Sequence, residues 1–396
     1  MFKNAFIPYG GYYSSPFCKW QGSLANSNSI ELGAATSKRW LAERGVDPTI
    51  FDYLYLGASV GQKAIFYGAP WAAAMMGAPQ IPGQNITQAC ATATTAVFNA
   101  AAAVETGSLQ STYCLLTDRT SNAPHTIWPN PNGPGGEVIA ENWNMDNINA
   151  DPSTGKDMLT TAENVAREYG FTREQADNLT LRRYEQYGEA LANDRAFQKR
   201  YMFPVEVPIS RKDTKLVEED EGVMTTSAEG LAKLRTVQPE GIHTFGSQTH
   251  PGDGNAGIIV TTRERAVEMS TDAKLAVQIL AYGYARTKAA HMPMAPASAA
   301  QKALGLAGLT IEQITTIKNH SPFIVNDLHL AKALGLDATQ FNNYGTSLVF
   351  GHPQGPTLAR LLIEAIEETA LKGGGYALVT GCAAGDSAAA LIVKVG

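Results

Sequence analysis

Apolar residues in this 396-residue chain fall into two kinds of segment, short unbroken runs and longer stretches with helical spacing. Apolar runs at Ser111 to Thr117, Ala256 to Thr261 and Tyr53 to Ala58, with a terminal pair around Leu378 and Leu391, predict buried strands, and Gln84 to Thr87 and Lys274 to Tyr282 read as strand-like. Ile30 to Gly45 repeats Leu32, Ala35 and Leu41 at helical spacing, and Val97 to Val104 and Thr357 to Lys372 read as further helices. Alternation of the two kinds predicts an α/β protein with a mainly parallel sheet covered by helices. Residues 119 to 157 depart from this pattern. Trp128-Pro129-Asn130-Pro131-Asn132-Gly133-Pro134 reads as a turn-rich excursion, and 214 to 240 as a polar loop. Between them, 160 to 202 is helical with a charged, solvated face. After residue 270 the strand and helix grammar repeats, so the chain reads as two related halves.

Composition narrows the class. With 44% hydrophobic and 17% charged residues, the chain can bury a large core, and its length fits two or more domains. A formal net charge of -6 speaks against a general polyanion-binding surface, so no nucleic acid partner is expected. Cys18, Cys90, Cys114 and Cys382 are widely spaced, without a C-x-x-C pair, which points to neither a disulfide framework nor a structural metal. No apolar run approaches the ~18 residues of a membrane span, and the N-terminus lacks a signal-peptide core, so the expected location is the cytoplasm.

Three segments carry candidate chemistry. Gln88-Ala89-Cys90-Ala91-Thr92 places a thiol among residues too small to hide it, at a strand-to-helix junction where unpaired N–H groups favour thiolate. Phe350-Gly351-His352-Pro353 sets an imidazole between turn residues just before a helix, and Gly381-Cys382-Ala383-Ala384-Gly385 puts a second thiol on a small-residue turn. A lone buried Cys is most often inert packing. Two thiols and an imidazole, each on a tight turn with free N–H groups, instead fit nucleophilic attack on a carbonyl.

These segments, together with Ser121-Asn122-Ala123-Pro124-His125, Met158-Leu159-Thr160-Thr161-Ala162-Glu163-Asn164 and Gly374-Gly375-Tyr376-Ala377-Leu378, resemble the thiolase superfamily in content and order. The resemblance implies two pseudo-duplicated β-α-β-α-β halves with five-stranded mixed sheets in α-β-α-β-α layers. The expected divisions are an N-terminal half over 1–120 completed by 245–270, a loop domain over 121–244 and a C-terminal half over 271–396. It implies an acyltransferase that cleaves a 3-ketoacyl-CoA with CoA, or runs the reverse Claisen condensation, through an acyl-enzyme. Cys90 is then the nucleophile, His352 its base and Cys382 the acid/base at the α-carbon. Backbone N–H groups of Cys90 and Ala384 would hold one oxyanion, and His352 with a water held by His320 the other. CoA is implied as co-substrate, with no cofactor and no metal.

For substrate and CoA binding the resemblance implies Ser247, Thr249, Met158 and Phe323. Arg119 is a candidate partner for a substrate carboxylate, although a structural ion pair is the commoner fate of such an Arg. Asp157, Leu159, His320, Gln354 and Pro356 depart from short-chain members and are similar to the branch that includes benzoylsuccinyl-CoA thiolase. That branch implies an aromatic or carboxylated acyl group and a small partner subunit with OB-fold and zinc-ribbon parts. A homodimer or dimer of dimers is expected. The competing readings are a ketoacyl synthase-like condensing enzyme, which has no second catalytic Cys, and a non-catalytic thiolase-like subunit.

Overall fold

A computed structural model describes residues 2–63 and 65–396. Its central feature is a mixed sheet whose neighbouring strands follow two halves. In the first, Gly83–Ile86, Tyr53–Gly57 and Ser111–Arg119 run parallel, and Gly252–Thr261 joins Ser111–Arg119 antiparallel. In the second, Ile314–His320 and Gly375–Ala383 run parallel, followed antiparallel by Ser387–Val395 and Ala276–Arg286. The short strand Phe6–Pro8 pairs with both Gly252–Thr261 and Ala276–Arg286, so the two halves form one hydrogen-bonded sheet path.

Side-chain alternation along these strands builds the layers. Cys114, Leu116, Ile258 and Val260 face one core, shared with the helices Thr92–Glu105 and Thr357–Leu371. Tyr113, Leu115 and Ile259 face the opposite way, against the helices Ser29–Glu43 and Gly68–Met76. The second half repeats the scheme: Ala377, Val379, Leu391 and Val393 face the shared core, while Leu378, Ala390 and Ile392 pack on the helix Ala295–Ala307. Both faces are therefore apolar, which explains the unbroken runs in the sequence. The helix after Cys90 and the helix after His352 pack together in the core shared by the two halves of the sheet, and this brings the two distant turns to one place.

The polar stretches hold more structure than their composition implied. Within 119–157, His125–Pro129 and Val138–Asn142 form a hairpin, and Thr214–Val217 pairs with Val205–Pro208. The helix Arg173–Arg195 begins with a reciprocal Thr172 and Gln175 capping box. No helix among the described residues is long and apolar enough to cross a membrane.

Candidate active site

Cys90 lies on a single 3-10 turn, Ala89–Ala91, that feeds the helix Thr92–Glu105. Ala89, just before it, has φ 44°, an uncommon value for a residue with a Cβ. The turn is stabilised locally: Thr92 Oγ1 donates to the Ala89 carbonyl at 2.7 Å and accepts the Gln88 N–H at 2.8 Å. The thiol is half-buried, and burial pushes it up to about 12, against the opposing pull of the N–H groups of Cys90 and Ala384. Those same two N–H groups are the expected oxyanion donors. Positive φ in the second turn falls on Gly385 (80°) and Asp386 (55°), which leaves Ala384 with a conformation open to any residue.

His352 Nε2 stands 3.0 Å from Cys90 Sγ, and its Nδ1 is 2.7 Å from Thr357 Oγ1. Burial first, then the neighbouring charge of His250, lower its pKa to about 3. The pair thus rests as neutral thiol and neutral imidazole. Gly351 has φ 89°, and a Cβ there would come within 2.5 Å of the His250 ring. His250 in turn accepts the His352 backbone N–H on its carbonyl at 2.9 Å.

His320 ends the strand Ile314–His320, where it pairs with Gly381, one residue before Cys382. Its ring centroid is 4.2 Å from that of His352, its Nδ1 lies 2.6 Å from Ser347 Oγ, and its Nε2 has no partner. Burial, followed by His352, holds its pKa well below the ordinary value. Cys382 is fully buried on the strand Gly375–Ala383, and burial followed by Cys90 pushes its thiol well up. The ligand atoms of Cys90, His320 and His352 all lie within 4.8 Å of one another, a spacing that would also admit a divalent metal ion. Two thiols, two neutral imidazoles and two N–H groups at one point can form and break a thioester and move a proton at carbon.

Comparison with known proteins gives the family. The profile described as "Thiolase, N-terminal domain" fits residues 11–264, and "Thiolase, C-terminal domain" fits 273–395. The chain belongs to the thiolase family. It is an acyltransferase, and its relatives include the acetyl-CoA acetyltransferase of Escherichia coli, 29% identical over 386 residues and 95% of each chain. The beta-ketoadipyl-CoA thiolase of Acinetobacter baylyi is 28% identical over 393 residues, 96% of this chain and 97% of its own. In fold, the human mitochondrial 3-ketoacyl-CoA thiolase in complex with CoA gives a TM-score of 0.90 at 23% identity, over 100% of this chain and 98% of that one. The Bacillus anthracis acetyl-CoA acetyltransferase gives 0.91 at 24% identity, over 100% and 99%.

Within this thiolase the remaining expected residues divide. Phe323 packs in one apolar cluster with Cys382, and Met158 lies half-buried against it. Thr249 sits beside the His320 turn, its N–H on the Pro322 carbonyl and its hydroxyl on the Ser347 carbonyl. Ser247 does not offer its side chain to a ligand. It is fully buried, and its Oγ closes its own turn by accepting the Thr244 N–H at 2.9 Å. Arg119 is likewise corrected. It has no exposure, and its guanidinium folds onto the carbonyls of Gly254 and Asp118 and the Ser27 hydroxyl, so the protein itself takes up Nη1 and Nε. Asp157 caps the helix Met158–Tyr169, and Gln354 joins Asn144 of the excursion, so both departures from the family pattern have structural roles. Thr357, Ser347 and Asn326 were missed. Each is an ordinary polar residue whose only sequence signal is its place next to a catalytic turn or in an apolar run.

Proposed function

We propose that this chain cleaves a 3-ketoacyl-CoA with CoA, or runs the reverse condensation, through an acyl group carried on Cys90. The 3.0 Å approach of Cys90 Sγ to His352 Nε2 carries the reading. The Cys90 proton passes to His352 as sulfur bonds to the ketone carbon, and the carbonyl electron pair moves onto oxygen, met by the N–H groups of Cys90 and Ala384. Collapse breaks the carbon–carbon bond toward the thioester. The enolate oxygen falls to His320 and His352, and Cys382 delivers its proton to the α-carbon. The Cys382 thiolate regains a proton as His352 gives up the one it took from Cys90; the CoA thiol then passes its proton to the neutral His352 as its sulfur bonds to the acyl carbon, and the departing Cys90 sulfur takes that proton back.

An aromatic or carboxylated acyl group, as in benzoylsuccinyl-CoA, is the finer proposal. His320 and a relative named for a carboxylated acyl chain support it, and Arg119 plays no part in it. Assembly as a homodimer, with a small partner subunit, belongs to the same reading. Mass spectrometry of Cys90 after incubation with a panel of 3-ketoacyl-CoAs tests both levels. A mass increase on Cys90 that Cys90→Ser abolishes is expected, and its size identifies the acyl group. Undiminished turnover in Cys90→Ser would refute the mechanism.

A further inference from the structure

Beside the second sulfur lies a side chain outside every motif named above. Asn326 is the second residue of the helix Val325–Leu334 and has no solvent exposure. Its Nδ2 donates to Cys382 Sγ across 3.1 Å, while its Oδ1 has no hydrogen-bond partner. The next residue clamps the start of the helix. The fully buried Asp327 carboxylate receives Arg183 Nε at 2.8 Å, Asn319 Nδ2 at 2.7 Å, Ser321 Oγ at 2.7 Å and Asn342 Nδ2 at 3.2 Å. With its neighbour fixed from four sides, the Asn326 amide is a rigid donor aimed at sulfur.

A packing role does not account for this residue. Asn326 follows apolar neighbours in Ile324-Val325-Asn326-Asp327-Leu328, where Leu has the same branched shape without a buried, unpaired carbonyl. Buried polar atoms without partners are uncommon in native structures, and leaving one unpaired carries a cost. The titratable groups of the site around Cys382 are Cys90, Asp327, His320 and His352; Cys90 and Asp327 oppose a thiolate, the latter paired with Arg183, and burial keeps both imidazoles neutral. Asn326 is the side chain that acts the other way.

We propose that Asn326 is a positioning residue for proton transfer at Cys382: its N–H orients the sulfur and stabilises the thiolate formed whenever Cys382 gives up its proton. The inference rests on the assignment of Cys382 as the acid/base of the thiolase reaction. In cleavage, the Cys382 S–H bond breaks, its proton joins the enolate carbon, and the electron pair stays on sulfur as the anion that faces the amide. In condensation, that thiolate takes a proton from the methyl group of acetyl-CoA, and the C–H pair moves into the thioester carbonyl. A donor 3.1 Å away strengthens as the charge develops.

Two half-reactions separate this role from packing. Deuterium exchange from D2O into the methyl group of acetyl-CoA reports proton transfer at Cys382, whereas the intact mass of the protein after acetyl-CoA reports acylation of Cys90. Asn326→Leu should slow exchange by about tenfold or more, with acylation within about twofold of the parent protein, and should move the pH midpoint of exchange upward. Asn326→Asp, which replaces the donor with a negative charge, should slow exchange further. Exchange within about twofold of the parent in Asn326→Leu overturns the proposal. So does an equal fall in exchange and acylation with an unchanged pH midpoint, which would assign Asn326 to packing. Cys382→Ala is the control: exchange that survives it refutes the role of Cys382 itself, and loss in Cys382→Ala with none in Asn326→Leu refutes only the role of Asn326.

Discussion

Thr357→Val isolates what the tautomer of His352 contributes. The imidazole takes the Cys90 proton only if Nε2 presents a lone pair, so Nδ1 must carry the hydrogen and donate it to Thr357 Oγ1, 2.7 Å away. Valine keeps the shape of threonine and removes the acceptor. The ring is buried, so the Nδ1–H would be stranded, and the opposite tautomer, with Nε2 already protonated, becomes competitive. Leaving one buried donor unmet costs about 1–3 kcal/mol, which as a barrier is roughly a 5- to 150-fold slower acylation. Because His352 is already neutral with a pKa lowered to about 3, the loss should be nearly independent of pH across the neutral range. Rapid-quench mass spectrometry of Cys90 acylation measures it, with Thr357→Ser as the variant that retains the acceptor. Acylation by Thr357→Val within about twofold of the parent would refute the reasoning.

Other perturbations test the scaffold around the site. Gly351→Ala should both slow acylation and destabilise the fold by about 1–3 kcal/mol, because the backbone is at φ 89° and the new Cβ meets the His250 ring; His250→Gly in the same chain should relieve the clash but not the φ strain. Arg360→Met should cost about 3–5 kcal/mol in chemical denaturation, because it strips Asp220 of a bidentate partner at 2.7 and 2.8 Å inside the core; a cost below about 1 kcal/mol would show the ion pair to be idle. Acid should weaken the fold. A histidine whose folded pKa is depressed contributes stability above its unfolded value, lost as pH falls toward the folded one, so His352 alone forfeits about 2 kcal/mol by about pH 5. His320 acts in the same direction, and Asp118, raised to about 6 by burial, returns about 1 kcal/mol in the opposite one. Urea unfolding that shows greater stability at about pH 5 than at about pH 7.5 would contradict this sign.

The sequence revealed those parts of the fold whose physics is local. Ser111 to Thr117 read as a strand because both of its faces are covered, which removes polar alternation and leaves an unbroken run. Cys90 and Cys382 stood out because each sits among small residues, and His352 because Gly351 and Pro353 set it on a turn. The hairpin His125–Pro129 with Val138–Asn142 did not read as strands, since it is largely exposed on both faces and its turn is made of Gly, Pro and Asn with one Glu. Ser247 and Arg119 misled for a related reason. A hydroxyl and a guanidinium look available in a sequence, and only the fold decides whether the nearest acceptor is a ligand or the protein's own backbone. Asn326 was invisible because its meaning depends on Cys382, 56 residues away.

The site resolves a conflict between burial and reactivity. Removing water drives every reacting group toward neutrality: Cys90 up to about 12, Cys382 well up, His352 down to about 3 and His320 well down. A permanently ionised pair would carry a large desolvation cost in such a place. Neutral groups carry little, but the charges that appear during turnover then need donors already in position. On the proposed mechanism, the N–H groups of Cys90 and Ala384 would meet the Cys90 thiolate and the ketone oxygen, and the Asn326 amide the Cys382 thiolate. Each donor is fixed by backbone or by a clamped helix start, so little reorganisation is required as charge forms. On this basis the alkaline positions of the two thiols are not obstacles to catalysis. They keep the resting site uncharged, and they place the stabilisation at the moment when a sulfur or an oxygen becomes an anion.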